Sequence, residues 1–233
     1  MLADDFAQRV SGVAALAEPL RRELYDYVVA QTSAVSRDQA SAGVGIARHT
    51  AKFHLDRLVD EGLLDIDFKR LSGKQGPGAG RPTKLYRRSA RELSVTVPPR
   101  HYDLAGHLMA AAIETAAENG SAVVDELHDA AAEMGSALAQ QTRQAAGPRP
   151  SRATLVTAAC ATLAAHGYEP RCRDDTITLA NCPFHSLARD HTELVCGMNL
   201  ALISEMAQSS ADGKLTARLD PGDDRCCVTL VAT

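Results

Sequence analysis

The sequence contains no tryptophan, and aromatic side chains make up only 4% of its 233 residues. It also lacks any apolar run approaching the ~20 residues of a membrane-spanning helix, which argues against an integral membrane protein. Hydrophobic residues nevertheless make up 45% of the chain, enough for a substantial core, and the length suits one large or two modest domains.

A secretory signal is missing as well, because the opening residues, MLADDFAQRV, are acidic and lack a long apolar stretch. We therefore expect a cytoplasmic protein. In that reducing compartment the six cysteines are not expected to form structural disulfides, which leaves free, redox-active or metal-bound thiols. No paired C-x-x-C motif is present, so the pattern of a zinc ribbon is excluded.

The net charge of −4 argues by itself against a nucleic-acid-binding protein, but the charge is unevenly distributed. Residues 1–100 hold 16 Lys and Arg against 12 Asp and Glu, a balance of +4, whereas residues 101–233 have a balance of −8. The stretch 69–91 holds 8 Lys and Arg and no acid. This asymmetry indicates that the N-terminal part of the chain meets an anion.

Residues 36–62 have the pattern of two short helices joined by a tight turn. Ser36 and Gln39 form a capping box that begins the first helix, and the glycines at 43 and 45 end it. The second helix is predicted over about 47–61, with one buried stripe formed by Ala51, Leu55, Leu58 and Val59. Its outer face holds the candidate DNA-contacting residues, which are Arg48, His49, Thr50, Lys52, Phe53 and Arg57. An ordinary helical hairpin is the alternative.

The segments on either side complete a small domain. Residues 12–30 are predicted as a helix after a frayed start, with Pro19 in the first turn of its main segment, that packs on the other two. Residues 64–69 alternate as a half-buried strand, a glycine-rich tip follows, and residues 83–89 return as a second strand. This basic hairpin is expected to lie along DNA phosphates through Lys74, Arg81, Lys84 and Arg87. The alternative is a basic loop without a partner.

Residues 12–90 resemble the winged helix-turn-helix domain of the ArsR-like bacterial repressors. The resemblance is carried by residues 19–21 (PLR), 47–58 (ARHTAKFHLDRL), 61–64 (EGLL), 80–82 (GRP) and 85–86 (LY). It implies sequence-specific binding of double-stranded DNA as a homodimer. The chain departs from the family at Ala47, where a capping Ser or Thr is usual, at a cost of about 1 kcal/mol.

Beyond the proline-rich linker at 95–99, two alanine-rich helices are expected to begin at the caps Asp103 and Ser121. We interpret them as a dimer interface, although packing under the following domain would give the same spacing. Ser151 begins a further helix, and the remaining pattern indicates a small α+β domain. The predicted fold is therefore mainly α with α+β. It comprises a winged helix-turn-helix domain (1–95), a helical dimerisation segment (96–147) and a C-terminal sensor domain (148–233).

Four cysteines of the C-terminal domain lie in settings that could converge on a soft metal or cluster. Cys182 follows a strand, Cys196 lies near a helix start that favours a thiolate, and Cys226 and Cys227 lie on a closing strand. His185 and His191 are candidate fourth ligands. The alternative is that the cysteines act as small buried apolar residues, which is the role expected of Cys160 and Cys172.

This domain resembles the sensor domain of the SufR-type regulators, which repress genes of iron–sulfur assembly. The resemblance rests on residues 181–185 (NCPFH), His191, 194–196 (LVC), 198–199 (MN) and 226–227 (CC). It implies an iron–sulfur cluster held by three cysteines, which we assign to Cys182, Cys196 and Cys226. Cys227 remains a further candidate ligand, and members of the wider group hold zinc or an organic ligand instead.

The resulting hypothesis is a cluster- or metal-sensing transcriptional regulator, a repressor rather than an enzyme, that binds a palindromic operator. One alternative keeps the DNA-binding domain but replaces the cluster with a small organic effector on a metal-free domain. A second alternative is a thiol redox enzyme using Cys226 and Cys227, which is disfavoured because vicinal cysteines form only a strained disulfide and no acid–base residues accompany them.

Overall fold

The computed structural model describes residues 2–69, 82–173, 176–211 and 213–232. These residues form nine helices and two small antiparallel sheets, with 58% helix and 15% strand, so the expected mixed and mainly helical character is confirmed. The chain divides into two compact units, Met1–Val95 and Thr96–Thr233. None of the helices within the described ranges combines the length and apolarity that crossing a membrane requires.

The N-terminal unit contains four helices and a three-stranded sheet with the order β1-β3-β2. Its elements are α1 (Leu2–Ala15), α2 (Pro19–Val29), β1 (Val35–Ser36), α3 (Arg37–Val44), α4 (Arg48–Asp60), β2 (Leu64–Lys69) and β3 (Thr83–Arg88). The hairpin register pairs Ile66 with Tyr86 and Phe68 with Lys84. Leu24, Leu55 and Leu58 are completely buried in the core between these elements.

Local sequence signals account for α3 and α4. The Ser36–Gln39 capping box is confirmed, and Gly45 ends α3 in the left-handed conformation at φ 74°. Ala51, Leu55 and Leu58 of the predicted stripe are buried in α4, and Val59 is half-buried. α4 begins after Ala47, whose side chain makes no capping hydrogen bond.

Two predictions for this unit were wrong. The single helix over 12–30 is instead the end of α1 and all of α2, since Glu18 accepts the backbone N–H groups of Leu20 and Arg21 and so begins a new helix. The strand β2 is not half-buried along its length, because Leu64 is buried whereas Phe68 is 63% exposed. The strand leaves the core after its first residue. The predicted glycine-rich tip lies outside the described residues.

The C-terminal unit combines five helices with a four-stranded sheet of order β4-β5-β7-β6. Its elements are α5 (Tyr102–Asn119), α6 (Val123–Ala146), α7 (Arg152–Ala165), β4 (Pro170–Arg173), β5 (Thr176–Leu179), α8 (His185–Asp190), α9 (Thr192–Ala211), β6 (Leu215–Leu219) and β7 (Val228–Ala232). Helices and sheet share one hydrophobic core. The short helix α8 was not predicted.

Helix α6 packs against α9 so closely that a Cβ at Gly135 would collide with the carbonyl oxygen of Leu202. Leu127, Ala131 and Leu138, the centre of the seam interpreted as a dimer interface, are buried by this packing within one chain. These residues are therefore not available to a second copy. Spacing along one helix does not reveal which chain covers it, so the sequence could not show that these three residues pack within the chain. That this helical segment forms a dimer interface stays a prediction.

Of the three helix caps predicted in this unit, only Ser151 is confirmed. Ser151 accepts the backbone N–H of Thr154 and begins α7, as predicted. Neither α5 nor α6 has a side-chain capping bond. Asp103 instead lies within the first turn of α5, and the Ser121 hydroxyl donates to the Glu126 carboxylate.

Candidate nucleic-acid interface and candidate thiol cluster

The solvent-facing side of α4 carries the side chains predicted to contact DNA. Arg48, His49, Lys52, Phe53 and Arg57 are exposed, and the neighbouring Thr50 is half-buried. Phe53 is 65% exposed, which is unusual for a large apolar side chain on a core helix. The face therefore combines cationic groups with one apolar group.

Each cation of this face is paired with an acid in the structure. Lys52 lies 2.8 Å from Asp56, and Arg48 lies 3.4 Å from Asp38. Arg57 likewise pairs with Glu61 one turn along the helix. The Arg48–Asp38 pair joins two exposed side chains and contributes roughly 0–1 kcal/mol, so a phosphate or base edge can replace Asp38 at small cost. Glu61 is buried, so separating it from Arg57 costs more.

Asp56 connects α4 to β3. Its carboxylate accepts hydrogen bonds from Lys52, from Lys84 and, at 3.0 Å, from the hydroxyl of Tyr86, a residue buried in the core. Burial alone would raise the pKa of Asp56, but these three hydrogen bonds lower it to about 2. The hairpin is thus fixed to the exposed helix by an ionised carboxylate.

Four hairpin residues are predicted to contact phosphates, and two of them, Lys84 and Arg87, lie in the described part of the chain. Arg87 lies 3.0 Å from Asp67 and 3.5 Å from Asp65 on the facing strand, and it remains half exposed. Lys84 is engaged by Asp56 and lies over the ring of Tyr86. Lys74 and Arg81 lie outside the described residues.

Three segments of the C-terminal unit bring four thiols together. Cys182 lies in the loop after β5, Cys196 in the second turn of α9, and Cys226 and Cys227 in the loop before β7. The first three are buried, and Cys227 is half-buried. Because β7 begins only at Val228, the prediction that the vicinal pair lies on a strand was wrong, and both sulfurs can reach the same cluster.

The thiols interact in the order Cys182, Cys226, Cys227, Cys196. A hydrogen-bonding contact with Cys226, together with burial, raises the pKa of Cys182 well above its usual range. The contact with Cys182 lowers the pKa of Cys226, but the contact with Cys227 and burial raise it to about 11. Burial also raises the pKa of Cys196, so its place near a helix start does not favour the thiolate. Cys182, Cys196 and Cys226 are therefore protonated at neutral pH.

Polar groups surround the sulfurs on the protein side. Backbone N–H groups two residues further along the chain donate to Cys182 and Cys226. The buried amide of Asn199 donates to the Cys226 sulfur at 3.2 Å, and its oxygen accepts from the Tyr168 hydroxyl at 2.5 Å. Such hydrogen bonds stabilise thiolates in metal and cluster sites. Tyr168 was not identified from the sequence, whereas Asn199 belongs to the pair 198–199 (MN) on which the family resemblance rests.

The remaining candidate ligands are not brought to the thiols. His185 and His191, at the two ends of α8, are both exposed. Across the described ranges, no three His, Cys, Asp or Glu side chains are grouped as the ligands of one metal ion. The four thiols accordingly interact as pairs rather than around one point.

Cys160 and Cys172 form a separate pair. A disulfide joins Cys160 on α7 to Cys172 on β4, and the latter is exposed. The expectation that both are buried apolar residues was therefore wrong, and so was the expectation that the six cysteines form no structural disulfide. Their distance in the chain is only 12 residues, but the helix-to-strand turn that juxtaposes them carries no sequence signal for the pairing.

No protein-family model, curated protein or solved structure matches this chain.

Proposed function

We propose that this protein is a DNA-binding transcriptional regulator, acting as a repressor, whose N-terminal unit is a winged helix-turn-helix domain. The observation that carries the proposal is the exposed cationic face of α4, which follows a capped helix and a glycine turn and precedes a basic hairpin. Helix-turn-helix proteins place the second helix in the major groove. The balance of +4 over residues 1–100 supports an anionic partner.

In this proposal the residues of α4 read base edges and the hairpin holds the phosphates. Lys52 and Arg57 exchange their carboxylate partners for acceptors on guanine or phosphate, and Phe53 offers an apolar contact to a thymine methyl group. Lys84 and Arg87 contact the backbone next to the groove, as do Lys74 and Arg81 at the tip. Asp56 keeps the two elements in a fixed relation.

The proposed functional form is a homodimer on a palindromic operator, with half-sites about one DNA turn, or roughly 34 Å, apart. An exposed stripe on α1 supports a second copy of the chain as partner, because Phe6, Val10 and Val13 recur at helical spacing and remain 39–46% exposed. Sedimentation equilibrium tests this, with a dimer expected for wild type and a monomer for Val10→Glu.

We further propose that Cys182, Cys196 and Cys226 hold an iron–sulfur cluster, with Cys227 as the candidate fourth ligand. The convergence of buried thiols with two backbone N–H donors and Asn199 supports this donor set. Each iron of a cluster takes its own thiolate, so in this proposal the three cysteines each bind a separate iron. When bound, the cluster supplies sensitivity to oxidants and to iron supply.

The chain's own response follows from where the three cysteines lie. While they share a ligand, the loop after β5, the start of α9 and the approach to β7 are fixed at one point. Without a ligand the buried thiols are protonated, and these segments are joined by the backbone hydrogen bond from Cys226 to Leu179 and by the Asn199–Cys226 bond, not by a shared ligand. The C-terminal unit would then repack and alter the spacing of the two DNA-reading helices.

Iron and acid-labile sulfide measured on anaerobically purified protein test the cofactor. We expect bound iron and visible absorbance in wild type, loss of both in Cys182→Ser and Cys226→Ser, and no loss in the matched control Cys160→Ser. If the protein contained stoichiometric zinc and no iron, the cysteines would be assigned to a zinc site instead of a cluster. A colourless protein free of both metals would exclude either form.

A further inference from the structure

A cleft of about 490 Å³ lies in the C-terminal unit where the end of α6, the start of α7 and the end of α9 meet. Pockets for small organic ligands have volumes of roughly 300–1,000 Å³, so this cleft has the size of a binding site. It shares no lining residue with the thiol cluster. Its lining consists of Arg143, Ala146, Gly147, Arg149, Pro150, Leu155, Ser210 and Lys214.

The charge of the lining has a single sign. Arg143, Arg149 and Lys214 all border the cleft, and no acidic residue is among the side chains described there. None of the three forms an ion pair within the described part of the chain. Arg143 does donate to the carbonyl oxygen of Ser209, which fixes its guanidinium at the rim. This grouping is notable in a chain segment whose overall charge balance is −8.

The lining also includes the apolar side chains of Ala146, Pro150 and the buried Leu155. The loop between α6 and α7 presents Arg149 in the left-handed conformation at φ 56°, which long side chains rarely adopt. Three cations and these apolar side chains around one cleft suit a ligand with both an anionic group and a hydrocarbon part.

We propose that this cleft binds a small organic anion that carries phosphate or carboxylate groups. Arg143, Arg149 and Lys214 bind the charged groups, and the ligand's carbon skeleton lies on Leu155 and Pro150. The site would give the C-terminal unit an effector input that is separate from its thiols. The proposal rests on the cleft alone and holds whether or not the chain binds DNA or a cluster.

Calorimetric titration of the full chain tests the proposal, with inorganic phosphate and citrate as probes in a phosphate-free buffer. We expect saturable binding to wild type, and roughly tenfold weaker binding or more to the double variant Arg149→Asn with Lys214→Gln, because two charge-assisted hydrogen bonds are lost. Asparagine is chosen because it tolerates the left-handed conformation. The matched control, Arg171→Gln with Arg173→Gln, removes two exposed cations from β4 and should bind as wild type does.

Binding of citrate alone, of phosphate alone, or of both supports the proposal and tells which anionic group the cleft takes. Lys214→Gln by itself leaves the loop unchanged and should also weaken binding, which separates a lost contact from a misfolded loop. Equal affinities for wild type and both pocket variants would overturn the proposal. The proposal would also be overturned if titration with sodium chloride at the same ionic strength gave the same heats, because general screening would then account for them.

Discussion

At the scale of single residues, Asn199 joins the thiols to the core, because its amide contacts Cys226 and its oxygen accepts from Tyr168. We expect Asn199→Ala to destabilise the C-terminal unit by about 1–3 kcal/mol, since it leaves the buried Tyr168 hydroxyl without an acceptor. Thermal unfolding measures this. Adding Tyr168→Phe removes the orphaned hydroxyl, so the double variant should be destabilised by less than the sum of the two single effects. Strict additivity would mean that the hydrogen bond does not couple the two residues.

The stability of the N-terminal unit should depend on pH through the carboxylate of Asp56. Its pKa is about 2 in the folded chain, below the ordinary value of 3.8, so its contribution is complete above pH 4 and is lost as pH falls toward 2. We expect Asp56→Asn to cost roughly 1 kcal/mol at pH 6, a value reduced by solvent screening. Denaturant unfolding at pH 6 and at pH 2 should show the difference between the two proteins disappear at the lower pH. A constant difference would contradict the assignment.

The sequence did not predict the long-range hydrogen bonds of Asp56 and Asn199. The exposed side chains of α4 were predictable because one helical stripe fixes both the buried and the exposed face. The hydrogen bonds of Asp56 to Tyr86 and of Asn199 to Cys226 connect residues 30 and 27 positions apart, and no local pattern specifies them. The raised pKa of Cys196 has the same origin, since it depends on burial by the whole unit.

At the scale of elements, the two helices of the N-terminal pair differ in how they begin. Ser36 caps α3, whereas Ala47 leaves α4 without a side-chain cap although its backbone is already extended, at φ −66° and ψ 144°. We therefore expect Ala47→Ser to stabilise the unit by about 0.5–1 kcal/mol and Ser36→Ala to destabilise it by about 1 kcal/mol. Denaturant unfolding of both variants checks this. No gain from Ala47→Ser would mean that the added hydroxyl does not reach the helix N–H groups.

The hairpin and α4 should affect DNA binding differently. Arg87→Ala removes a proposed phosphate contact, so binding should weaken for all sequences and the slope of log K against log salt should decrease by about 0.9. His49→Ala or Lys52→Ala should weaken specific binding more than non-specific binding. Gel shifts at several salt concentrations measure both effects, with Arg171→Ala as the control. An unchanged slope for Arg87→Ala would argue against a hairpin on the phosphates.

Helices and strands were predicted most accurately where the signal is local. The capping box, the glycine at 45 and the stripe on α4 are contained within one turn or one helix. The α6 seam is equally periodic, but its partner, α9, lies more than 50 residues further along the chain. Periodicity predicted the buried face of α6 correctly and gave no information about what covers it.

At the scale of the whole molecule, the two parts of the chain have opposite charge balances, +4 over residues 1–100 and −8 over residues 101–233. The proposed switch requires that the state of the thiols change the affinity for DNA. Couplings between sites in proteins are typically about 1–3 kcal/mol, which corresponds to roughly 5- to 150-fold in affinity. A coupling of this size would require no contact between the cysteines and DNA.

The most direct test is the affinity of one anaerobic preparation for a duplex selected from a random-sequence library, measured by fluorescence polarisation before and after the cluster is removed. The account predicts a change of about 5- to 150-fold that is absent in Cys182→Ser and retained in Cys160→Ser. Equal affinity in both states of the wild-type protein would contradict it.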